Sequence, residues 1–240
     1  MLDRIFDYLN FHFSIEALIV LLILVMLEAV LSADNAIALA AIAQGLEDKE
    51  LENKALNIGL VFAYVLRISL ILTATWVQAY WQFELLGAGY LLWLVFQHFT
   101  SDEGEENHHH GPRFKSLWQA IPVLAFTDLA FSLDSVTTAI AVSQEKWLVL
   151  TGATLGIIIL RYMAGLFIRW LDEYENLEDA GYITVAFVGL RLLLKVINDN
   201  LVPPEWIVIS AIALIFIWGF SKRTVVELAP EEPEKTEVLK

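Results

Sequence analysis

Long apolar stretches separated by short polar ones set the pattern of this chain. Ile15–Leu31, Leu56–Ala74, Leu148–Ile168 and Ile207–Phe220 each carry at most two charged residues. As a helix, about 20 apolar residues cross the ~30 Å hydrocarbon core of a bilayer. In lipid, only helices and closed barrels satisfy every backbone polar group. The pattern predicts an all-α membrane protein with seven spans, at about 15–44, 56–76, 83–99, 117–144, 148–170, 181–198 and 205–221. An N-terminal segment (1–14), a polar loop (100–116) and a charged, disordered tail (222–240) complete the expected organisation. Trp76, Tyr80, Trp81, Trp118, Trp147, Trp170, Tyr174 and Trp206 fall near span ends, as interfacial aromatic belts do.

Composition agrees. The 240 residues are 58% hydrophobic, with mean hydropathy +0.60, against about 45–50% apolar in soluble chains. With no cysteine, disulfides and thiolate metal sites are excluded. The first fourteen residues have no basic n-region and no small-residue cleavage site, so the first span is expected to serve as the insertion signal. The net charge of −14 lies largely in loops and tail, which argues against a nucleic-acid partner. Lys49, Lys54, Arg113, Lys115, Arg169, Lys222 and Arg223 would lie inside with the N-terminus out; Arg4, Lys146 and Lys195 would lie outside. Seven against three favours an N-out, C-in orientation.

Self-similarity changes the picture most. Glu28, Ser32, Asp34, Asn35 and Gln44 in the first span recur as Asp128, Ser132, Asp134, Ser135 and Gln144 in the fourth, all at an offset of 100. Gly89 and Gly189 keep that offset in the third and sixth spans. The copies are three spans apart, and an odd number of crossings reverses direction. Two inverted three-helix repeats plus one extra helix are therefore expected, with a site near the midplane between the repeats.

Glu28, Asp34, Asp128 and Asp134 flank the centres of their spans. A carboxylate there costs at least ~2.5–3.5 kcal/mol on insertion scales, so each needs a cation, a proton or an arginine as partner. At about 100° per residue, positions 28, 32 and 35 share one stripe, as do 128, 132 and 135. Asp34 and Asp134 point about 120° away from Glu28 and Asp128. Either they address a neighbouring helix or the helix unwinds there, although neither motif holds Gly or Pro to force a break.

Carboxylates, an Asn amide and Ser hydroxyls are all oxygen donors, which suit hard cations such as Mn²⁺, Ca²⁺ or Mg²⁺. Arg67 and Arg161, in the second and fifth spans, are read as the other intramembrane charges. They either pair with the motif carboxylates when the cation is absent, or snorkel and form structural pairs. Ser32, Ser132, Gln44 and Gln144 are supporting candidates. His108–His110 is a weak candidate for metal capture, and His12 and His98 are assigned nothing.

The paired motifs Glu-x-x-x-Ser-x-Asp-Asn (28–35) and Asp-x-x-Phe-Ser-x-Asp-Ser (128–135) resemble those of the TerC family, named for tellurium resistance. The resemblance covers roughly residues 15–220 and includes Gly-Leu-Arg-Leu-Leu-Leu at 189–194. It implies a seven-span fold related to the LysE transporter superfamily. It also implies efflux of a divalent metal, chiefly Mn²⁺, across a bacterial cytoplasmic membrane. The implied metal ligands are Glu28, Asp34, Asn35, Asp128, Asp134 and Ser135, with no tightly bound cofactor and no enzymatic activity. Alternating access, with proton exchange on the carboxylates as a candidate driving force, is the expected mechanism. The competing reading is a membrane scaffold or assembly factor with membrane-protein partners, acting in metallation of exported proteins or in insertion, whose polar network is structural. An intramembrane protease is disfavoured, because His-Glu-x-x-His and Gly-x-Gly-Asp are absent. No soft-donor site for tellurium is present.

Overall fold

The computed structural model describes residues 15–46, 48–100 and 114–223, without the side chains of Asp34, Asp199 and Glu205. The segment 1–14, most of the polar loop with His108–His110, and the tail from 224 lie outside the described residues. Within them the regular structure is helical: α1 (Ile15–Leu31), α2 (Ala33–Gln44), α3 (Lys49–Val77), α4 (Trp81–Thr100), α5 (Leu117–Val142), α6 (Lys146–Glu173), α7 (Leu177–Ile197) and α8 (Glu205–Gly219). One isolated bridge joins Tyr174 to Arg223.

Helices α3, α5, α6 and α7 are each long and apolar enough to cross a membrane, and α1 with α2, bent by 45° where they meet, makes a fifth candidate if the pair counts as one span. At 15 residues, α8 is apolar but short. At about 1.5 Å per residue it covers about 22 Å. The 20 residues of α4 are long enough, yet Glu84, Gln97 and His98 dilute their apolar character.

Exposure follows what each face meets. Along α1, Leu18, Leu22, Met26 and Val30 stand open, the stripe a lipid-facing helix presents. Along α2, every residue from Ala36 to Ala43 is buried. A helix apolar on all sides must be enclosed by others, and the small alanines let its neighbours come close.

Packing is reciprocal between the halves. Helices α1 and α2 both pack mainly on α6, while α5 packs mainly on α3; α4 and α7 pack on each other. The seats match as well. A Cβ built on Gly59 of α3 would lie 3.0 Å from Leu124 Cβ, and one on Gly152 of α6 would lie 3.1 Å from Leu24 Cβ. Leu24 and Leu124 keep the offset of 100.

Two apolar clusters make up the core. One gathers Ala36–Ala43, Leu56, Leu60, Leu124, Leu160 and Leu192; the other gathers Leu24, Leu70, Ile71, Val136, Val149 and Ala153. Along α1–α2, α3, α5 and α6 alike, the change from one cluster to the other falls at Glu28–Ser32, Arg67, Ser132–Ser135 and Gly156. A polar layer is thereby held between two apolar ones.

Candidate functional site: a buried charge layer

Arg67 lies at the centre of this layer, fully buried with Asp128, while Glu28 is 6% exposed. Its Nη1 donates to Glu28 Oε1, and its Nη2 donates to Asp128 Oδ1 at 2.8 Å. Thus the two repeat-related carboxylates share one guanidinium, each holding its own nitrogen, in the planar fork that suits arginine. Ser32 Oγ donates to Glu28 Oε1 at 3.4 Å. Ser132 Oγ donates to the Asp128 carbonyl at 2.7 Å and lies 3.4 Å from Asp128 Oδ2. Two acids against one base leave one formal negative charge, in a region where charge is costly.

Gly156 is the reason Glu28 fits. A Cβ there would overlap Glu28 Cγ, so only glycine lets the carboxylate lie against α6. The matching position on α3 is Ala63, also fully buried. Beside Glu28 and Arg67 there is a cavity of only about 10 Å³, room for about one water. The layer is closed in this conformation.

Asn35 and Ser135 are buried one turn on. Ser135 Oγ has no hydrogen-bond partner among the described residues. The Asp34 side chain lies outside them. The helix does break beside it: Ser32 separates α1 from α2. In the second copy α5 runs unbroken past Asp134, which instead addresses a neighbouring helix. Asp134 Oδ2 accepts from Arg191 Nη1 of α7, and Lys195 Nζ stands 3.9 Å from Oδ1. Lys195 also pairs with Glu84 of α4 at 2.8 Å. These four side chains are 14–21% exposed. Asp134 and Arg191 border an apolar crevice of about 420 Å³ between α1, α5, α7 and α8.

Of the two readings of Arg161, pairing with the motif carboxylates is not the one seen among the described residues. Its Nε donates to Asn57 Oδ1, and its Nη2 donates to Asn53 Oδ1 at 3.4 Å. The glycine seats explain why. Gly59, Ala63 and Arg67 on α3 correspond to Gly152, Gly156 and Leu160 on α6, so Leu160 occupies the place of Arg67. Arg161 is one residue further, and one residue turns a helix by about 100°. Gln44 and Gln144 also leave the layer. Gln44 donates to the Ile168 carbonyl at 3.2 Å and to Asp172 Oδ1 at 3.1 Å, near the helix ends. Gln144 is exposed beyond α5, which ends at Val142 rather than 144.

The reading from pattern alone missed Arg191, Lys195 and Glu84. The signal was available: Arg191 and Lys195 are four residues apart inside the predicted sixth span. His98, assigned no role, is a core residue, stacked on Tyr182 with ring centroids 3.7 Å apart and bonded through Nε2 to Asp179 at 3.0 Å. Among the described residues, no group of three or more His, Asp or Glu side chains is gathered as a metal site.

The family described as "Integral membrane protein TerC family" matches residues 13–226. This chain belongs to the TerC family. It is an integral membrane protein, in agreement with its apolar spans. It is 36% identical over 176 residues to the uncharacterized membrane protein YceF of Bacillus subtilis, covering 70% of this chain and 68% of that protein. It is 26% identical over 188 residues to the inner membrane protein YgdQ of Escherichia coli K12, covering 72% and 78%. It is also 28% identical over 173 residues to the thylakoid membrane protein TERC of Arabidopsis thaliana, covering 60% and 45%. No solved structure matches the chain. The buried layer of this TerC-family chain is drawn from both motif copies.

Proposed function

We propose that this chain exports a divalent cation, Mn²⁺ first among the candidates, by alternating access of two inverted three-helix repeats, with α8 as a seventh span. The observation that carries the reading is the shared guanidinium: Glu28 and Asp128, equivalent in the two motifs, converge on Arg67 between two apolar clusters. The reciprocal packing of the bent first span on α6 and of α5 on α3 supports the inverted repeat.

In this mechanism Arg67 is the resident counter-cation of the closed state. A hard dication entering the layer competes with it for Glu28 and Asp128. Oxygens of Ser32, Asn35, Ser132 and Ser135, with Asp34 and Asp134, complete an all-oxygen site of the kind such ions take. Residual negative charge favours the dication, and rocking of one repeat against the other exposes it to the far side. The Lys and Arg distribution supports N-out, C-in in a bacterial cytoplasmic membrane.

The test is Mn²⁺ accumulation by everted membrane vesicles. Wild type is expected to accumulate Mn²⁺, and Glu28→Gln, Asp128→Asn and Asp134→Asn to lose accumulation while still inserting. Ca²⁺ and Mg²⁺ in the same assay rank selectivity. An imposed pH gradient tests proton coupling.

A second reading has its own support. The Arg67 pairs are already formed, and among the described residues no three-ligand metal cluster is assembled. This favours a membrane scaffold or assembly factor with a structural polar network. It takes precedence if the carboxylate variants accumulate Mn²⁺ as wild type does.

A further inference from the structure

A different feature concerns Arg161. Among the described residues it has no acidic partner, and its bonds go to two neutral amides, Asn57 and Asn53. A guanidinium inside a spanning helix without a carboxylate is costly unless an anion or water reaches it. It lies at the end of a groove of about 420 Å³ between α3 and α6. Leu60, Val61, Ile157 and Ile158 form the apolar walls of this groove. Val61 is 63% and Ile158 48% exposed, so the groove opens to the surroundings of the bundle. For an integral membrane protein those surroundings are lipid.

Depth narrows the choice of ligand. The 28 residues of α6 extend about 42 Å, close to the ~40–45 Å of a bilayer with its headgroups. Lys49 pairs with Asp172 at 2.7 Å, so the start of α3 and the end of α6 lie at one level. The Arg161 side chain runs towards that level, because a Cβ on Gly165 would lie 2.9 Å from its Nη1. Gly165 and Asn57 are each eight residues from their helix ends, about 12 Å, and Asn53 is four, about 6 Å. The guanidinium therefore lies where headgroups give way to hydrocarbon. Nη1 makes no hydrogen bond within the described residues and faces the bare Gly165 backbone.

We propose that this groove binds one anionic phospholipid from the leaflet level with the α2–α3 connection. Its phosphate is held by Arg161, with Asn57 and Asn53 orienting the guanidinium, and an acyl chain lies between Val61 and Ile158. Basic pockets between spanning helices take anionic headgroups in this way. The inference rests on membrane residence alone, so it stands or fails separately from metal transport.

The experiment uses the full chain, purified in neutral detergent. Thermal stability and lipid retention in native mass spectrometry are measured with added phosphatidylglycerol, phosphatidylcholine or inorganic phosphate. Phosphatidylglycerol is expected to raise the melting temperature and stay bound, and phosphatidylcholine and inorganic phosphate to do neither. Arg161→Gln is expected to weaken phosphatidylglycerol binding about fivefold, the ratio that one interfacial basic residue supplies. Arg161→Lys, which keeps the charge, retains most of the effect, and Lys146→Gln at the far end of α6 retains all of it. Equal stabilisation of Arg161→Gln and wild type overturns the proposal. So does equal stabilisation by phosphatidylcholine, or by phosphate alone, which would mark a soluble-anion site. If Arg161→Gln does not fold, Val61→Trp, which fills the acyl-chain path at an exposed wall of the groove, takes its place: loss of the phosphatidylglycerol effect supports the site, and an unchanged effect overturns it.

Discussion

Arg67 and Arg161 sit in helices that play the same part in the two halves, yet their surroundings are opposite. Arg67 is fully buried and holds two carboxylates. Arg161 is half-buried on a groove open to lipid and holds two amides. The Gly59 and Gly152 seats show that the helices share a register and that Arg161 is one residue out of it. Two helices that seat their neighbours alike can thus differ in whether they carry a buried charge centre. What a residue does is decided by its angle around the helix as much as by its depth.

The strongest way to break this comparison is Arg67→Leu. It leaves Glu28 and Asp128 buried without their base, a loss of about 3–5 kcal/mol, read as a fall in melting temperature and in inserted protein. Adding Glu28→Leu and Asp128→Leu removes the stranded charges. That triple variant is expected to recover most of the stability, because apolar replacement of a whole buried network is often neutral, and still to move no Mn²⁺. Recovered transport would mean the layer is structural.

Gly156→Ala follows. The new methyl overlaps Glu28 Cγ, and overpacking of this kind costs about 1–3 kcal/mol. Gly89→Ala is the control. Nothing lies within 4 Å of its Cβ, and Ala in a helix gains about 0.5–1 kcal/mol over Gly. Denaturation of the two variants in one detergent compares them directly.

Asp134→Asn is expected to cost less stability than Gly156→Ala. Its cluster is partly exposed, and Lys195 keeps Glu84 at 2.8 Å. Its effect should appear in Mn²⁺ accumulation rather than in melting temperature. The smallest effect belongs to Arg161→Gln in the absence of anionic lipid, within about 0.5 kcal/mol as for most surface changes. A loss as large as that of Arg67→Leu would show that the two arginines are equivalent after all.

Much was legible in the chain itself. Apolar length marked the helices, because a backbone in lipid has few other ways to satisfy its polar groups. The offset of 100 marked the duplicated motif, and the cost of buried charge required each of its acids to find a partner. Which partner Glu28, Asp128 and Asp134 found was decided only by the tertiary structure. Periodicity places a residue on a face of its own helix but does not say what that face meets. The one-residue slip of Arg161, the pairing of Asp134 with Arg191 across to α7, and the break at Ser32 without Gly or Pro depend on how neighbouring helices seat. Those seats are set by glycines whose significance appears only once a leucine or a glutamate is found lying on them.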